Sequence, residues 1–339
     1  MRKKFLLSIL VILLAFLPSC QKATSEASEV SSEASGVIET PAVEKTVTET
    51  VTEETILEET DSPDPVDDGI QTVTVCDVEV QWNGYSAIEP DSYLDIRNMD
   101  FSDFGTFFEK QYEVSVSSYK IMEGEISETE VVHIHSENEG PTIYIVGAVH
   151  GDEKAAWYTA ILMEKATISR GDLYILAPAN ANGAKNDSRY VAGRQDLNRS
   201  FPGDPEGNEA EQLAYAIYSD IEDKNPDLVL DLHEAIVYNS SRDFLGSTYI
   251  FTDLSVFANE YDMDVMFLDL LFATEDGTIC HNAFGSTGPG PEGSINATVT
   301  NELGIPVITV ETFRGFDIYR RVYDQLDTIQ FILEYLEMR

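Results

Sequence analysis

Short apolar runs recur along the chain, and their spacing predicts alternating strands and helices. Residues 142–146 (Thr142-Ile143-Tyr144-Ile145-Val146) form a β-branched run that reads as a buried strand. Residues 154–168 follow as a helix. Residues 172–177 and 227–232 repeat the buried-strand pattern, and residues 306–310 do so again just before Glu311. Residues 207–225 place Leu213, Ala214, Ile217 and Ile221 on one helical face. Residues 316–338 read as a long amphipathic helix. Period-two alternation gives further strands at 71–82, 112–121 and 131–135. A short strand is expected at 248–251, and helices at 253–260 and 291–303. Residues 178–205 and 280–293 read as loops. Strands alternating with helices predict a single α/β domain over residues 71–339, with a mixed, largely parallel sheet flanked by helices. Ligands in such sheets collect beyond the carboxyl ends of the strands. His150, His233 and Glu311 each follow directly on an apolar strand.

The N-terminal residues follow a different pattern. Arg2, Lys3 and Lys4 precede an apolar stretch at 5–16, which is too short for an ordinary spanning helix. Leu17-Pro18-Ser19-Cys20 comes next and resembles a bacterial lipobox. That resemblance implies a signal peptide at 1–19, lipid attachment at Cys20, and an extracytoplasmic protein anchored to the bacterial membrane. Residues 20–70 are rich in Ser, Thr, Glu, Val and Pro and contain no aromatic residue. They cannot bury enough surface to offset their ordering entropy, so a disordered acidic tether is expected. The whole chain carries 61 acidic and 21 basic residues, a formal charge of −40. Such a charge argues against nucleic acid as a partner. It also disfavours docking on anionic lipid, so membrane attachment would rest on the lipid anchor. Cys76 and Cys280 remain once Cys20 is lipidated. An exported location permits a disulfide between them, but two buried free thiols are the simpler reading. Oligomeric state is not written in these patterns.

The candidate chemistry centres on Gly147-Ala148-Val149-His150-Gly151-Asp152-Glu153. His150 stands at a strand end and Glu153 in the first helical turn, so both side chains can turn to one side. An imidazole and a carboxylate there supply two-thirds of a His/His/Glu zinc site. The long loop at 178–205 holds Arg189, Arg194, Asn198 and Arg199. His133 and His135 lie two apart on one strand face. No Cys, Asp or Glu at ligand spacing accompanies them in sequence, and they read as an exposed hairpin face.

Four segments in order, His150-Gly151-Asp152-Glu153, Asp196-Leu197-Asn198-Arg199, Leu232-His233-Glu234 and Val310-Glu311-Thr312, resemble the zinc carboxypeptidase family. Within it, the resemblance is closest to the succinylglutamate desuccinylase/aspartoacylase branch. It implies one zinc ion held by His150, Glu153 and His233, with Glu311 as general base. It further implies that Asp196 orients His150 and that Asn198 and Arg199 receive a substrate carboxylate. An arginine ahead of Asp196 would stabilise the oxyanion. Arg189 is favoured for that role, with Arg194 as the alternative and a further candidate for substrate binding. The tyrosine that covers the substrate in carboxypeptidases of this family has no clear match; Tyr238 and Tyr319 are the candidates. Aspartoacylase-like deacylases carry a β-rich domain after the base, whereas about 28 residues follow Glu311 here. That departure weakens the claim to aspartoacylase chemistry itself. The expected activity is zinc-dependent hydrolysis of an amide bond next to a free carboxylate, as a carboxypeptidase on peptides. The alternatives are an N-acyl amino acid deacylase and a lipoprotein that binds a ligand through zinc without turning it over.

Overall fold

The apolar runs resolve into ten strands and six α-helices in the computed structural model, which describes residues 71–75, 78–82, 101–236, 246–279 and 284–339. The strands are β1 (Gln71–Val75), β2 (Val78–Trp82), β3 (Ser115–Ile121), β4 (Thr129–His135), β5 (Thr142–Gly147), β6 (Asp172–Leu176), β7 (Leu228–Ala235), β8 (Thr248–Ile250), β9 (Gly285–Thr287) and β10 (Val307–Phe313). The helices are α1 (Lys154–Met163), α2 (Ala181–Lys185), α3 (Glu209–Lys224), α4 (Met263–Glu275), α5 (Ile295–Thr298) and α6 (Ile318–Tyr335). Cys20, Cys76, Tyr238 and Cys280 lie outside the described residues, as do the expected signal peptide and tether. No helix among the described residues is long and apolar enough to cross a membrane.

Strands β3 to β10 form one eight-stranded sheet in the order β3-β4-β6-β5-β7-β10-β8-β9. Its centre, β6-β5-β7-β10, is parallel. The β3–β4, β4–β6 and β10–β8 pairs are antiparallel. The sheet is therefore mixed and largely parallel, as expected. Parallel strands covered on both faces are apolar on both. In β5, Ile143 and Ile145 face one core and Tyr144 and Val146 face the other. The first core is filled by α1, α4 and α6, and the second by α3 and α5. Helix α3 starts with a capping box, in which Asn208 and Glu211 satisfy each other's backbone N–H groups.

Several elements differ from the sequence pattern. Residues 71–75 and 78–82 pair as two antiparallel strands, β1 and β2, and not as one strand. Helix α1 ends at Met163, five residues short of the expected end. Helix α4 falls in a stretch to which the pattern assigned no element. The loop at 178–205 contains α2 and a 3₁₀ turn at Leu197–Arg199. Strand β7 continues to Ala235 and β10 to Phe313, so His233 and Glu311 lie inside strands and do not follow them. The cause is pairing: the parallel β7–β10 ladder runs unbroken to Phe313↔Ala235 and brings Glu311 opposite His233.

Candidate metal centre and active site

Three segments converge at the carboxyl end of the central strands. The first leaves β5 through Ala148, which adopts φ 60°, and delivers His150 and then Glu153 at the N-cap of α1. Gly151 is required here by close approach. A Cβ on it would lie 2.1 Å from the Ala184 backbone nitrogen, so α2 packs directly on this turn. The second segment is β7, whose two-residue period places Asp231 and His233 on one face. The third is β10, which does the same for Thr309 and Glu311, in register with Asp231 and His233.

His150, Glu153 and His233 are all buried, and their candidate ligand atoms lie within 4.8 Å of one another. The Glu153 carboxylate sits between the two rings: Oε1 is 2.7 Å from His150 Nδ1 and Oε2 is 2.8 Å from His233 Nδ1. The outer ring nitrogens meet carboxylates too. His150 Nε2 is 3.1 Å from Asp196 Oδ1, and His233 Nε2 is 3.0 Å from Asp231 Oδ1. Two imidazoles whose inner nitrogens share one point, each backed by a carboxylate, is the donor set and outer support of an open zinc site. The residues fit that metal. Burial alone would raise the Glu153 pKa, yet the two imidazoles hold it well below the usual carboxylate range. Burial would likewise lower the His233 pKa, but Asp231 and Glu153 raise it well above the usual value.

Asp196 joins the metal ligand to an arginine. Its Oδ1 faces His150 and accepts the Asn198 backbone N–H at 2.9 Å, which caps the 3₁₀ turn. Its Oδ2 accepts from Arg189 Nε and Nη2 at 3.2 and 3.0 Å. Burial would raise the Asp196 pKa; His150 and Arg189 hold it below the usual range. Arg189 Nη1 lies 3.2 Å from His150 Nδ1 and 3.7 Å from Glu153 Oε1, beside the point on which the ligands converge. Asn198 is held by the Ile295 backbone N–H, which it accepts at 3.1 Å. Arg199 Nη1 donates to the Asn198 carbonyl.

Glu311 is buried, and its Oε2 has no hydrogen-bond partner among the described residues. Burial pushes its pKa up to about 7, with Glu153 adding to the rise and His233 and His150 opposing it. The site opens into a cleft of about 490 Å³, whose lining includes Arg189, Asn198, Arg199, Ile250, Asn296 and Glu311.

Two expected residues are elsewhere. Arg194 is exposed on a turn, at φ 64°, outside the cleft lining. Tyr319 lies in the first turn of α6, is 44% exposed, and stacks on Phe104. Three residues were missed. Asp231 was signalled by the i, i+2 spacing of Asp-Leu-His. Glu234 accepts from Arg321 through Oε1 and from the Ala155 backbone N–H through Oε2 at 3.1 Å, which fixes the start of α1. Arg314, just beyond β10, holds Asp152 at 3.1 Å. No sequence spacing signals the last two contacts, which join residues far apart in the chain.

Residues 139–251 match the family model of the succinylglutamate desuccinylase/aspartoacylase catalytic domain, and that segment carries His150, Glu153, Arg189, Asp196, Asn198, Arg199 and His233. The family read from the motifs is thus the one that matches, over a segment that holds the first three motifs and ends before Val310-Glu311-Thr312. No curated protein sequence matches the chain. The fold is similar to that of a succinylglutamate desuccinylase from Silicibacter sp. TM1040, at TM-score 0.50 and 19% identity, over 68% of this chain and 72% of that one. The ectoine utilization protein EutE (DoeB) from Ruegeria pomeroyi, solved with product bound, gives the same TM-score, identity and coverage. A metallo-carboxypeptidase from Burkholderia cenocepacia gives TM-score 0.52 and 14% identity over 70% and 68%. At these identities the likeness is one of fold, a zinc carboxypeptidase-like sheet. The family match is confined to residues 139–251, and the solved structures add the likeness of fold.

Proposed function

We propose that the chain is a zinc-dependent hydrolase that cleaves an amide bond next to a free carboxylate, as a metallocarboxypeptidase on peptides. The observation that carries this reading is Glu311, a buried carboxylate with an unpartnered oxygen beside the His150–Glu153–His233 cluster. A site that only held a ligand would have no use for a free base there. One zinc ion held by these three residues would polarise the scissile carbonyl and acidify a water. Glu311 takes the proton from the attacking water and returns it to the leaving nitrogen. Arg189, locked by Asp196, is placed to stabilise the oxyanion. Arg199, with Asn198 beside it, receives the substrate carboxylate through its planar guanidinium. Arg194 takes no part in this arrangement.

A second reading, an N-acyl amino acid deacylase, is favoured by the match of residues 139–251 to a desuccinylase/aspartoacylase catalytic domain. A release assay on the zinc-loaded full chain separates the two, using short peptides, N-acyl amino acids and the C-terminal amides of both. Faster release from one acid class selects that reading. Amides should be much poorer substrates, because a buried guanidinium would lose its charged partner. Glu311→Gln should keep zinc and lose about 10²–10⁴-fold in rate. Tight binding with no turnover of any substrate would favour a zinc-dependent binding protein.

We also place the protein outside the cytoplasm, on the strength of Leu17-Pro18-Ser19-Cys20 alone. Cys20→Ala should leave the membrane fraction or remain unprocessed. Unchanged fractionation and an unchanged mature N-terminus would remove the anchor.

A further inference from the structure

Among the described residues, four histidines stand in two clusters, and one of the two belongs to the cleft. The other is His133, His135 and Asp172. His133 and His135 project from one face of β4, where the register sets His135 opposite Asp172 and His133 opposite Tyr174 of β6. The sequence reading of a bare hairpin face is therefore incomplete, because a carboxylate joins the two imidazoles from the neighbouring strand. Asp172 Oδ1 lies 2.6 Å from His133 Nε2 and 2.8 Å from His135 Nδ1. The Tyr174 ring stacks on His133 at 4.2 Å and 5°, which holds the imidazole plane toward Asp172.

Two nitrogens and one oxygen converging from adjacent strands match the donor preferences of zinc and its transition-metal neighbours. Donors around a tetrahedral zinc stand about 3.3 Å apart. The two His–Asp separations would have to lengthen by about 0.5–0.7 Å to admit the ion, a small adjustment for partly exposed side chains. The side chains of His133, His135 and Asp172 are 22%, 42% and 26% exposed, so an ion can enter and keep water in its open positions. The chain's charge of −40 raises the local concentration of cations. The cluster is also remote from the cleft. Asp172 pairs with Thr142 at the start of β5, whereas His150 lies beyond Gly147 at its far end. Five strand residues separate these ends by about 16 Å. One ion cannot serve both clusters.

We propose that His133, His135 and Asp172 bind a second divalent transition-metal ion, of the zinc class, which ties β4 to β6 and takes no part in the cleft chemistry. The inference does not rest on the catalytic reading. Zinc titration of the chelator-stripped full chain, followed by calorimetry, tests it. The His133→Asn/His135→Asn variant should bind one ion fewer per chain than the parent. His150→Asn/His233→Asn should still bind zinc, and zinc should still raise its melting temperature. Equal stoichiometry in the parent and the His133→Asn/His135→Asn variant overturns the proposal. If that variant does not fold, zinc-edge anomalous diffraction from crystals of the parent decides. A peak between His133 Nε2, His135 Nδ1 and Asp172 supports the site, and a bare cluster in zinc-soaked crystals overturns it.

Discussion

Asp231 shows how much of the candidate centre depends on single side chains outside the ligand set. It is fully buried, stands 3.0 Å from His233 Nε2, and accepts the Thr309 hydroxyl at 3.1 Å. A carboxylate this close to Nε2 favours a proton on that nitrogen, which would leave Nδ1 of His233 for a metal. Asp231→Asn keeps the shape and removes the charge. It should lower zinc affinity about 10–100-fold, read by competition with a chelator. Unchanged affinity would mean that β7 alone orients His233. Glu311 makes a prediction of the opposite kind, on stability. Its pKa is pushed from 4.5 to about 7 in the folded, metal-free chain, so the native state holds this proton more tightly than the unfolded one. Stability from protonated Glu311 is full below the unfolded value and is lost as pH rises through about 7. The loss is at most on the order of 3 kcal/mol. Urea unfolding of the zinc-free parent should weaken between pH 4.5 and pH 8 relative to Glu311→Gln, with the two closest at the acid end. Parallel pH profiles would show that Glu311 ionises as freely in the fold as in the unfolded chain.

At the level of elements, the centre is held by how β7, β10, α1 and α6 share buried charge. Glu234 donates its backbone N–H to Glu153 Oε2 at 3.0 Å, so β7 itself braces a candidate ligand. The Glu234 side chain then spans from the first turn of α1 to Arg321 on α6. A carboxylate at a helix N-terminus is favourable in itself. Glu234 and Arg321 are almost fully buried, at 0% and 2% side-chain exposure, and removing Arg321 takes from Glu234 its closest charged partner. Arg321→Met should therefore cost about 3–5 kcal/mol in chemical denaturation. Adding Glu234→Leu should recover part of that loss, because it removes the buried carboxylate that Arg321 had paired. A double variant no more stable than the single one would show that the pair is not the source of the cost. None of this linkage was readable from sequence, since Glu234 looked like one more polar residue after a strand. Strand periodicity, by contrast, was readable, because each central strand faces two apolar layers and had to be apolar throughout. Helix α4 escaped the same reasoning. Met263, Met266, Phe267 and Leu270 face the core, but apolar residues such as the 52%-exposed Phe272 continue round the helix and hide the stripe.

For the whole molecule, the parts legible in sequence are those fixed by local spacing, and the illegible parts are those fixed by register. His150 and Glu153 are three residues apart and announce themselves. His233 and Glu311 were found as residues at strand ends, although only the β7–β10 register sets them side by side. Asp172 was missed as a partner of His133 and His135 because β4 and β6 meet through the sheet, 37 residues apart along the chain. Net charge is the one global property that the sequence states outright, and it bears on how a substrate arrives. A charge of −40 sets up a negative field that repels an anionic substrate at long range. Arg189 and Arg199 line the cleft and act only at short range. Salt screens the long-range repulsion, with a Debye length of about 30 Å at 0.01 M and about 8 Å at 0.15 M. Contacts inside the cleft are screened far less. The value of kcat/KM for a substrate bearing a free carboxylate should therefore rise between these two ionic strengths, with kcat nearly unchanged. The same substrate blocked as a neutral amide should show little salt dependence. A steep fall for the acid would mean that the two arginines, and not the acidic surface, govern the field at the mouth of the cleft.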